Sequence, residues 1–172
     1  MDKDLLLLGV DGGGTRCRAR LSSDHGIVLA EAVSGPANLR LGLERSFAAV
    51  IDAATQCLRD AALSEEDMSR VVACLAMAGA SEPDYAAAAE GREHPFRRII
   101  MTTDAHAACI GAHAGHDGGI IIAGTGTIGW AMVQGKIHRI GGWGLPLSDE
   151  GSGAWLGRAR AATRWCTDRP RP

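Results

Sequence analysis

Residues 5–21 read LLLLGVDGGGTRCRARL, an apolar run that ends in one acidic residue, three glycines and a threonine. The run at 5–10 has the length and composition of a buried β-strand. Three consecutive glycines are costly to order, and a single glycine would be enough for a tight turn. Bare backbone lets N–H groups approach an anion, so this stretch favours a phosphate-binding hairpin over a glycine-rich turn with an acid for solubility.

The composition is that of a globular protein with one large domain or two small ones: 172 residues, 46% hydrophobic and a formal net charge of −2. The sequence has no polybasic block, so nucleic acid and anionic membranes are poor candidates as partners and a small molecule is the better one. The first apolar run is too short for a membrane span or a signal peptide. We therefore expect a soluble, unprocessed chain.

Five cysteines are present, an odd number without any CxxC pair, namely Cys17, Cys57, Cys74, Cys109 and Cys166. This pattern argues against a disulfide framework and against a thiolate zinc site. A reducing compartment fits best, and we expect the protein to be cytoplasmic.

Hydrophobic periodicity predicts the element order βββαβαβα along the first part of the chain. The predicted segments are strands at 5–10, 15–21 and 27–33, a helix at 43–63, a strand at 71–78, a short helix opened by Pro83, a strand at 98–102 and a helix at 104–115. Strands that alternate with helices after a first hairpin predict an α/β fold with a mixed sheet and helices on its faces.

The opening pattern restarts at Gly118 with GGIIIAGTGTIGWAMVQGKIHRI. Again an apolar strand leads into a Gly/Thr loop, an alternating strand, a tight turn and a third strand. Such self-similarity is typical of a duplicated domain, although two glycine hairpins can resemble each other by chance. A helix at about 150–165 follows before the chain ends. We therefore predict domains at 1–116 and 117–172, the second an incomplete copy of the first.

The motif GTGTIG at 124–129 matches the G-x-G-x-x-G fingerprint of dinucleotide-binding folds, with Asp149 at about the expected distance of 20 residues. That fingerprint must open a helix, whereas the residues after it alternate and contain a Gln-Gly turn. We therefore predict a hairpin, and hydride transfer is the weaker alternative. The hydroxyls of Thr125 and Thr127 and the loop amides suit the β- and γ-phosphates. No G-x-x-x-x-G-K-[ST] motif occurs, which excludes a P-loop.

Two aspartates follow predicted strands. Asp11 would hold Mg²⁺, directly or through water, beside a transferred phosphoryl group. Asp104 is either the N-cap of its helix or a general base that accepts a proton from a substrate hydroxyl during attack on phosphorus. The helix dipole favours the ionised form of Asp104, which suits a base but weakens it.

Two loops contain candidate sugar ligands. In SGPANLRLG (34–42), Asn38 offers donors and an acceptor, and helix capping explains it equally well. In GGWGLPLSDEGSGAWLG (141–157), Trp143 and Asp149 precede a helix. An aromatic face beside a carboxylate is typical of a sugar-binding site. The alternative explanation is that these residues cap the start of the helix.

Taken in order, the motifs GVDGGGT, GPAN, LAMAGA, TTDAHAACIGAH, IIIAGTGTIGW and GGWGLPLSDEGSGAWLG resemble the BadF/BadG/BcrA/BcrD ATPase family over residues 7–157. This family belongs to the superfamily of sugar kinases, actin and Hsp70, so the resemblance implies a ribonuclease H-like (actin-like ATPase) domain. The motifs are most similar to those of bacterial glucosamine kinases and N-acetylglucosamine kinases, with glucosamine ranked first.

The resemblance implies a kinase that uses ATP and Mg²⁺ to phosphorylate the 6-hydroxyl of an amino sugar. One phosphate hairpin would be formed by Asp11, Gly12, Gly13, Gly14 and Thr15, and the other by Gly124, Thr125, Gly126 and Thr127. The residues that would line the amino sugar pocket are Asn38, Asp104 as the base, Trp143 and Asp149.

Kinases of this family continue well beyond the point where the present sequence ends in RWCTDRPRP, a segment that resembles no family element and would break the helix. We therefore expect the chain alone to be a poor or inactive kinase, with exposed apolar faces that favour aggregation or a homodimer. Two alternatives stay open. One is an activator ATPase for 2-hydroxyacyl-CoA dehydratases, which needs cysteines placed around an iron–sulfur cluster. The other is a non-catalytic amino sugar sensor.

Overall fold

The structure is a computed structural model that describes residues 4–80, 87–89, 91–145 and 147–167, the last six of these by their backbone alone. The chain forms two compact units, Met1–Asp104 and Ala105–Pro172. The predicted division into domains 1–116 and 117–172 stays a prediction. Most of the short helix predicted after Pro83 lies outside the described residues. The part that is described, residues 87–89, is helical.

The first unit is built on a five-stranded mixed sheet with the order β3-β2-β1-β4-β5. Its strands are β1 (Leu6–Gly12), β2 (Cys17–Ser23), β3 (Val28–Ser34), β4 (Val71–Met77) and β5 (Arg98–Thr102). The first three strands form an antiparallel meander, whereas β4 is parallel to β1 and β5 is parallel to β4. The predicted mixed sheet is confirmed, with strand ends that lie within two residues of the predicted ones.

One face of this sheet is covered by α1 (Leu43–Asp60). The apolar residues of α1 recur at helical spacing, so they share one buried face, which includes Phe47, Val50, Ala53, Ala54, Cys57 and Leu58. In β1, Leu6, Leu8 and Val10 are buried and the residues between them are exposed. Each large side chain buried in this way stabilises the fold by about 1.5–3 kcal/mol.

The end of β1 makes a close backbone approach at Gly12. A Cβ atom added to Gly12 would lie 2.8 Å from the carbonyl oxygen of Ala37 and 3.1 Å from Cγ of Met77. Two hydrogen bonds hold the segments there: the amide of Ala37 donates to the Gly13 carbonyl and the amide of Ala78 donates to the Gly12 carbonyl, each at 2.9 Å. Position 12 therefore requires glycine because backbone atoms occupy the space of a side chain.

The second unit contains a three-stranded antiparallel sheet with the order β6-β7-β8. Its strands are β6 (Gly118–Ala123), β7 (Thr127–Val133) and β8 (Lys136–Gly141). The helices of this part of the chain are α2 (Asp104–His113), which begins at the last residue of the first unit, and α3 (Gly153–Thr167). The motif GTGTIG therefore joins two antiparallel strands and opens no helix, as predicted.

The start of α3 is later than the predicted position near 150. The Oγ atom of Ser152 accepts a hydrogen bond from the amide of Trp155 at 3.1 Å, so Ser152 is the N-cap. The preceding residues form a turn in which the amide of Ser152 donates to the carbonyl of Asp149 at 3.0 Å. The sequence motif SDEGS offers several capping residues, and only the packed turn selects Ser152.

Large apolar side chains are exposed on the second unit. Ile121 is 79% exposed, Ile140 is 77% exposed and Leu147 is 80% exposed. Exposed apolar area of this kind favours association. The expectation that the chain aggregates or dimerises stays a prediction. Of the helices in the described ranges, none has the combination of length and apolar character that a membrane crossing needs.

The cysteines whose side chains the structure describes lie inside strands and helices. Cys17, Cys57, Cys74 and Cys109 are free thiols. Burial raises the pKa of the Cys57 thiol to about 11. A hydrogen bond with the backbone of Leu21 lowers this pKa, but by less than burial raises it. Burial also raises the pKa of Cys17. The side chain of Cys166 lies outside the described residues.

We expect Gly12→Ala to lower the free energy of unfolding by about 1–3 kcal/mol, because the added methyl group overpacks a contact with backbone. Gly9→Ala is the matched control, since a Cβ at Gly9, in the same strand, meets nothing within 4 Å. The control should leave stability unchanged or raise it, because alanine costs less conformational entropy than glycine. Urea denaturation followed by circular dichroism measures both. Equal stability of the two variants would contradict the close approach at position 12.

Cys57 predicts a loss of stability at alkaline pH. Its thiol has a pKa of about 11 in the fold, above the value of about 8.5 of an unfolded thiol. The fold therefore favours the protonated thiol, and this contribution is complete below about pH 8.5 and is lost as the pH rises towards about 11. The unfolding free energy of the wild type should fall towards that of Cys57→Ala across this window. A constant difference between the two proteins from pH 8 to 11 would count against it.

Candidate functional site

The first glycine hairpin closes with a short loop at residues 13–16. The amide of Gly13 donates to the carbonyl of Arg16 at 3.0 Å, which closes the loop. Within the part of the chain that the structure describes, the amides of Gly14 and Thr15 have no hydrogen-bond acceptor. Adjacent backbone donors without a partner are typical of an anion-binding loop.

An open depression of about 470 Å³ surrounds this loop, lined by Asp11, Gly13, Gly14, Thr15, Arg16 and Arg18. Two guanidinium groups and one carboxylate give it a net positive charge, which suits a phosphate. Asp11 and Arg18 are directly opposite each other in the β1–β2 ladder. Their closest charged atoms are 3.7 Å apart, and the Asp11 side chain is 61% exposed. An exposed ion pair of this kind contributes little to stability. Because its side chain is mostly exposed and only weakly held by Arg18, the Asp11 carboxylate is accessible to a cation.

The pleat of β1 sets the direction of Asp11. Because successive side chains of a strand point to opposite faces, the buried Val10 and Gly12 place Asp11 on the face opposite α1. A shift of one residue in register would bury the carboxylate in the core.

Asn38 lies beside this hairpin, and the oxygen and nitrogen of its side-chain amide have different surroundings. Its Oδ1 atom accepts a hydrogen bond from the amide of Arg40 at 3.0 Å and caps the short 3-10 helix Leu39–Leu41. Its Nδ2 atom lies 3.8 Å from the position that a Cβ on Gly14 would occupy. The capping explanation therefore accounts for the oxygen, and the donor side of the amide is next to the glycine loop.

Asp104 is at the same edge of the sheet as the first hairpin. Met77 of β4 pairs with Gly12 of β1, and Ala76 pairs with Thr102 of β5. Because these three strands are parallel, their carboxyl ends lie at one edge, where ligands of open α/β sheets bind. Asp104 follows β5 at that edge, is exposed and is the first residue of α2.

The second glycine hairpin has a tighter loop, at residues 124–126. The amide of Gly124 donates to the carbonyl of Gly126 at 2.8 Å. The carbonyls of Gly124 and Thr125 accept hydrogen bonds of 2.8 Å and 3.2 Å from the first two amides of α3. Among the described residues, the amides of Thr125 and Gly126 have no acceptor. This loop therefore presents donors, while its carbonyls are engaged.

Asp149, predicted as a sugar ligand, lies against this second hairpin. The amide of Thr127 donates to its Oδ1 atom at 3.1 Å. Its Oδ2 atom lies 3.0 Å from the position of a Cβ on Gly126. The residue is 8% exposed and has a φ of 79°, in the left-handed region. Sequence reasoning did not find this contact, since nothing in the local pattern relates residues 22 positions apart.

Trp143 is 65% exposed on the loop after β8. The guanidinium carbon of Arg139 lies 4.0 Å from the centroid of its ring, a cation–π contact. The amide of Trp143 donates to Oγ of the buried Ser148 at 2.8 Å, which fixes the backbone of this loop. Arg139 was not among the residues that the sequence predicted.

Each hairpin, taken by itself, presents adjacent backbone donors that suit a phosphate group. The Oγ1 atom of Thr127 is buried and has no hydrogen-bond partner among the described residues. Mg²⁺ usually takes one or two carboxylates together with phosphate oxygens, so the exposed Asp11 is a sufficient protein ligand. Among the described residues, no three His, Cys, Asp or Glu side chains are grouped to hold a metal ion by themselves.

Comparison with known proteins identifies the family. The sequence matches the BadF/BadG/BcrA/BcrD ATPase family over residues 8–164. The chain belongs to this family. It is 45% identical over 150 residues to a glucosamine kinase of Vibrio cholerae, in a match that covers 87% of this chain and 51% of the relative. It is 30% identical over 156 residues to an N-acetylmuramic acid/N-acetylglucosamine kinase of Clostridium acetobutylicum, covering 88% and 50%.

Solved structures show the same fold. A protein of Chromobacterium violaceum assigned as an N-acetylglucosamine kinase is 37% identical and superposes with a TM-score of 0.86, covering 92% of this chain and 56% of that one. A protein of Porphyromonas gingivalis has the same fold, with a TM-score of 0.66 at 19% identity and coverage of 96% and 58%. The predicted family and actin-like ATPase fold are confirmed. The chain spans about half the length of the curated relatives that it matches.

Proposed function

We propose that this chain forms part of an ATP-dependent amino sugar kinase that phosphorylates the 6-hydroxyl of glucosamine. The observation that carries the proposal is the pair of glycine hairpins, each with two adjacent backbone amides that have no acceptor among the described residues. The 45% identity to a glucosamine kinase supports glucosamine as the acceptor, and N-acetylglucosamine is the alternative. Free thiols in the described residues support a cytoplasmic location.

The hairpins would bind and neutralise the phosphates of ATP. Gly14 and Thr15 of the first hairpin and Thr125 and Gly126 of the second would donate their amides to phosphate oxygens. Asp11 would hold Mg²⁺, which, with ATP, supplies the activated phosphoryl group. Donors that are already positioned stabilise the charge of the transition state without reorganisation.

Asp104 would accept the proton of the attacking sugar hydroxyl. Its exposure at the carboxyl edge of the sheet supports this role, since that edge also has Asp11 and the first hairpin. Proton transfer is late in a loose transition state, so the reaction does not need a strong base. Asn38 would donate from Nδ2 to a sugar hydroxyl, because its Oδ1 is engaged in capping. Trp143, with an exposed ring, would contact apolar sugar surface.

The two other hypotheses from the sequence have less support. An activator ATPase needs cysteines accessible to an iron–sulfur cluster, and Cys17, Cys57 and Cys109 are buried. A non-catalytic sensor would bind sugar and leave Asp104 without a chemical role. Glucosamine binding without any ATP-dependent phosphorylation, in a protein extended to the length of its relatives, would favour the sensor.

We expect Asp11→Asn to weaken the binding of Mg-ATP by about tenfold or more, because the amide cannot replace a charged ligand of Mg²⁺. Binding of ATP in the presence of EDTA should be unchanged by the substitution. Glu31→Gln is the matched control, since Glu31 is also exposed and pairs with an arginine, Arg20, on the neighbouring strand. Isothermal titration calorimetry compares the three proteins. An equal affinity for Mg-ATP in wild type and Asp11→Asn would remove Asp11 from the metal site.

We expect Asp104→Asn, in a protein extended to the length of the relatives, to lower kcat by about 10²–10⁴-fold and leave glucosamine binding largely intact. The amide retains the size of the carboxylate and cannot accept the proton. A coupled assay of ADP release measures kcat, and sugar binding is measured without nucleotide. Asp24→Asn, in the exposed turn between β2 and β3, is the control for the same chemical change. Unchanged turnover in Asp104→Asn would eliminate Asp104 as the base.

A further inference from the structure

We propose that Asp149 is a positioning residue that holds the backbone of the second glycine hairpin, so that the amides of Thr125 and Gly126 are presented to a phosphate. The identity of the anion rests on the proposed function, whereas the contact between Asp149 and the hairpin does not. The sequence pattern assigned Asp149 to the sugar, which stays a prediction, and in the structure its carboxylate contacts the hairpin.

The two oxygens of the carboxylate are both directed at the hairpin. Oδ1 accepts the amide of Thr127 at 3.1 Å, at the first residue of β7. Oδ2 lies 3.0 Å from the position of a Cβ on Gly126. A side chain at position 126 would therefore displace the carboxylate. The position of the Asp149 carboxylate therefore depends on the absence of a side chain at Gly126.

The conformation of Asp149 is costly and is held by its surroundings. A left-handed φ of 79° is unfavourable for a residue with a side chain, and aspartate tolerates it better than most. A carboxylate that is 8% exposed must also have hydrogen bonds to compensate for its lost hydration. The amide of Thr127 supplies one, and the start of α3, four residues later, supplies a favourable dipole. Such a conformation persists only where the surroundings enforce it.

The residues after Asp149 hold the other edge of the same loop. The amides of Gly153 and Ala154 donate to the carbonyls of Gly124 and Thr125 at 2.8 Å and 3.2 Å. The segment 149–154 thus makes three hydrogen bonds to the hairpin. Its carboxylate accepts from one hairpin amide, and two of its helix amides donate to two hairpin carbonyls. The amides of Thr125 and Gly126 are then the loop donors without an acceptor in the described residues.

This arrangement also restricts where an anion can bind. Because the carboxylate occupies the amide of Thr127, a phosphate cannot use that donor and would be repelled from it by charge. The phosphate is confined to the two preceding amides. The carboxylate thereby determines which amides of the loop the phosphate can contact.

Amide hydrogen exchange in the 172-residue chain, followed by NMR, tests the contact directly. In Asp149→Ala, exchange at Thr127 should accelerate by about tenfold or more, since its acceptor is removed. In Asp149→Asn, exchange should stay near the wild-type rate, because the amide oxygen still accepts. Asp117→Ala is the matched control: Asp117 accepts the amide of Gln134 at 2.8 Å, so only that amide should respond. Unchanged exchange at Thr127 in Asp149→Ala would overturn the proposal.

Gly126→Ala tests the same contact from the other side, and keeps the proposal open to refutation should Asp149→Ala fail to fold. Its added methyl group should displace the carboxylate and accelerate exchange at Thr127 to a similar degree. Exchange at Trp130, inside the β6–β7 ladder, should be unchanged in every variant and reports that the sheet is intact. Wild-type exchange at Thr127 in Gly126→Ala would refute the dependence of the two residues on each other.

Titration with Mg-ATP and with glucosamine separates this role from that of a sugar ligand. In the wild type, Mg-ATP should shift the amide resonances of Thr125 and Gly126. Asp149→Ala should weaken Mg-ATP binding about tenfold, and Asp149→Asn should restore it. Loss of glucosamine binding with unchanged Mg-ATP binding would show a sugar ligand instead. A wild type whose two amides do not respond to Mg-ATP would refute the proposed function of the hairpin, while the exchange data still decide the contact.

Discussion

The backbone approach at Gly12 is the constraint on which the first unit depends. With no side chain at that position, the carbonyl of Ala37 reaches a point 2.8 Å from where a Cβ would be. Hydrogen bonds then join the end of β1 to the segments before α1 and after β4, and a further bond of 3.0 Å joins Leu39 to Ala78. Asn38 is carried to the side of Gly14 by these bonds, and the carboxyl ends of β1, β4 and β5 share one edge. The candidate ligands of this unit are therefore placed by backbone and not by long side chains.

The second unit presents a similar loop and holds it in a different way. In the first hairpin, carbonyls of Gly12 and Gly13 accept hydrogen bonds from neighbouring segments. In the second, a buried carboxylate and the first turn of α3 bind the loop. Two glycine hairpins with related sequences thus expose adjacent amides through unrelated supports. Since bare backbone has no fixed conformation of its own, each loop needs such a support before it can bind an anion with a defined geometry.

Much of the fold could be predicted from the sequence because local periodicity reflects burial. The alternation in β1 and the helical spacing in α1 match their buried faces. The Gln-Gly pair marks the turn between β7 and β8, where Gln134 has a positive φ of 51°, so the dinucleotide fingerprint could be rejected. The start of α3 could not be located, because SDEGS contains several residues that cap helices and only the packed turn selects Ser152.

For the candidate site, the sequence by itself determined which residue types lie at strand ends: Asp11 after an apolar run, a glycine loop behind it and a second glycine loop after β6. These follow from patterns a few residues long. Only the tertiary structure decided that the Asn38 oxygen caps a helix, that Arg139 stacks on Trp143 and that the Asp149 carboxylate binds the amide of Thr127. The last contact joins residues 22 positions apart. Its geometry depends on how the chain returns to the hairpin, because a carboxylate binds whichever donor the fold brings within reach.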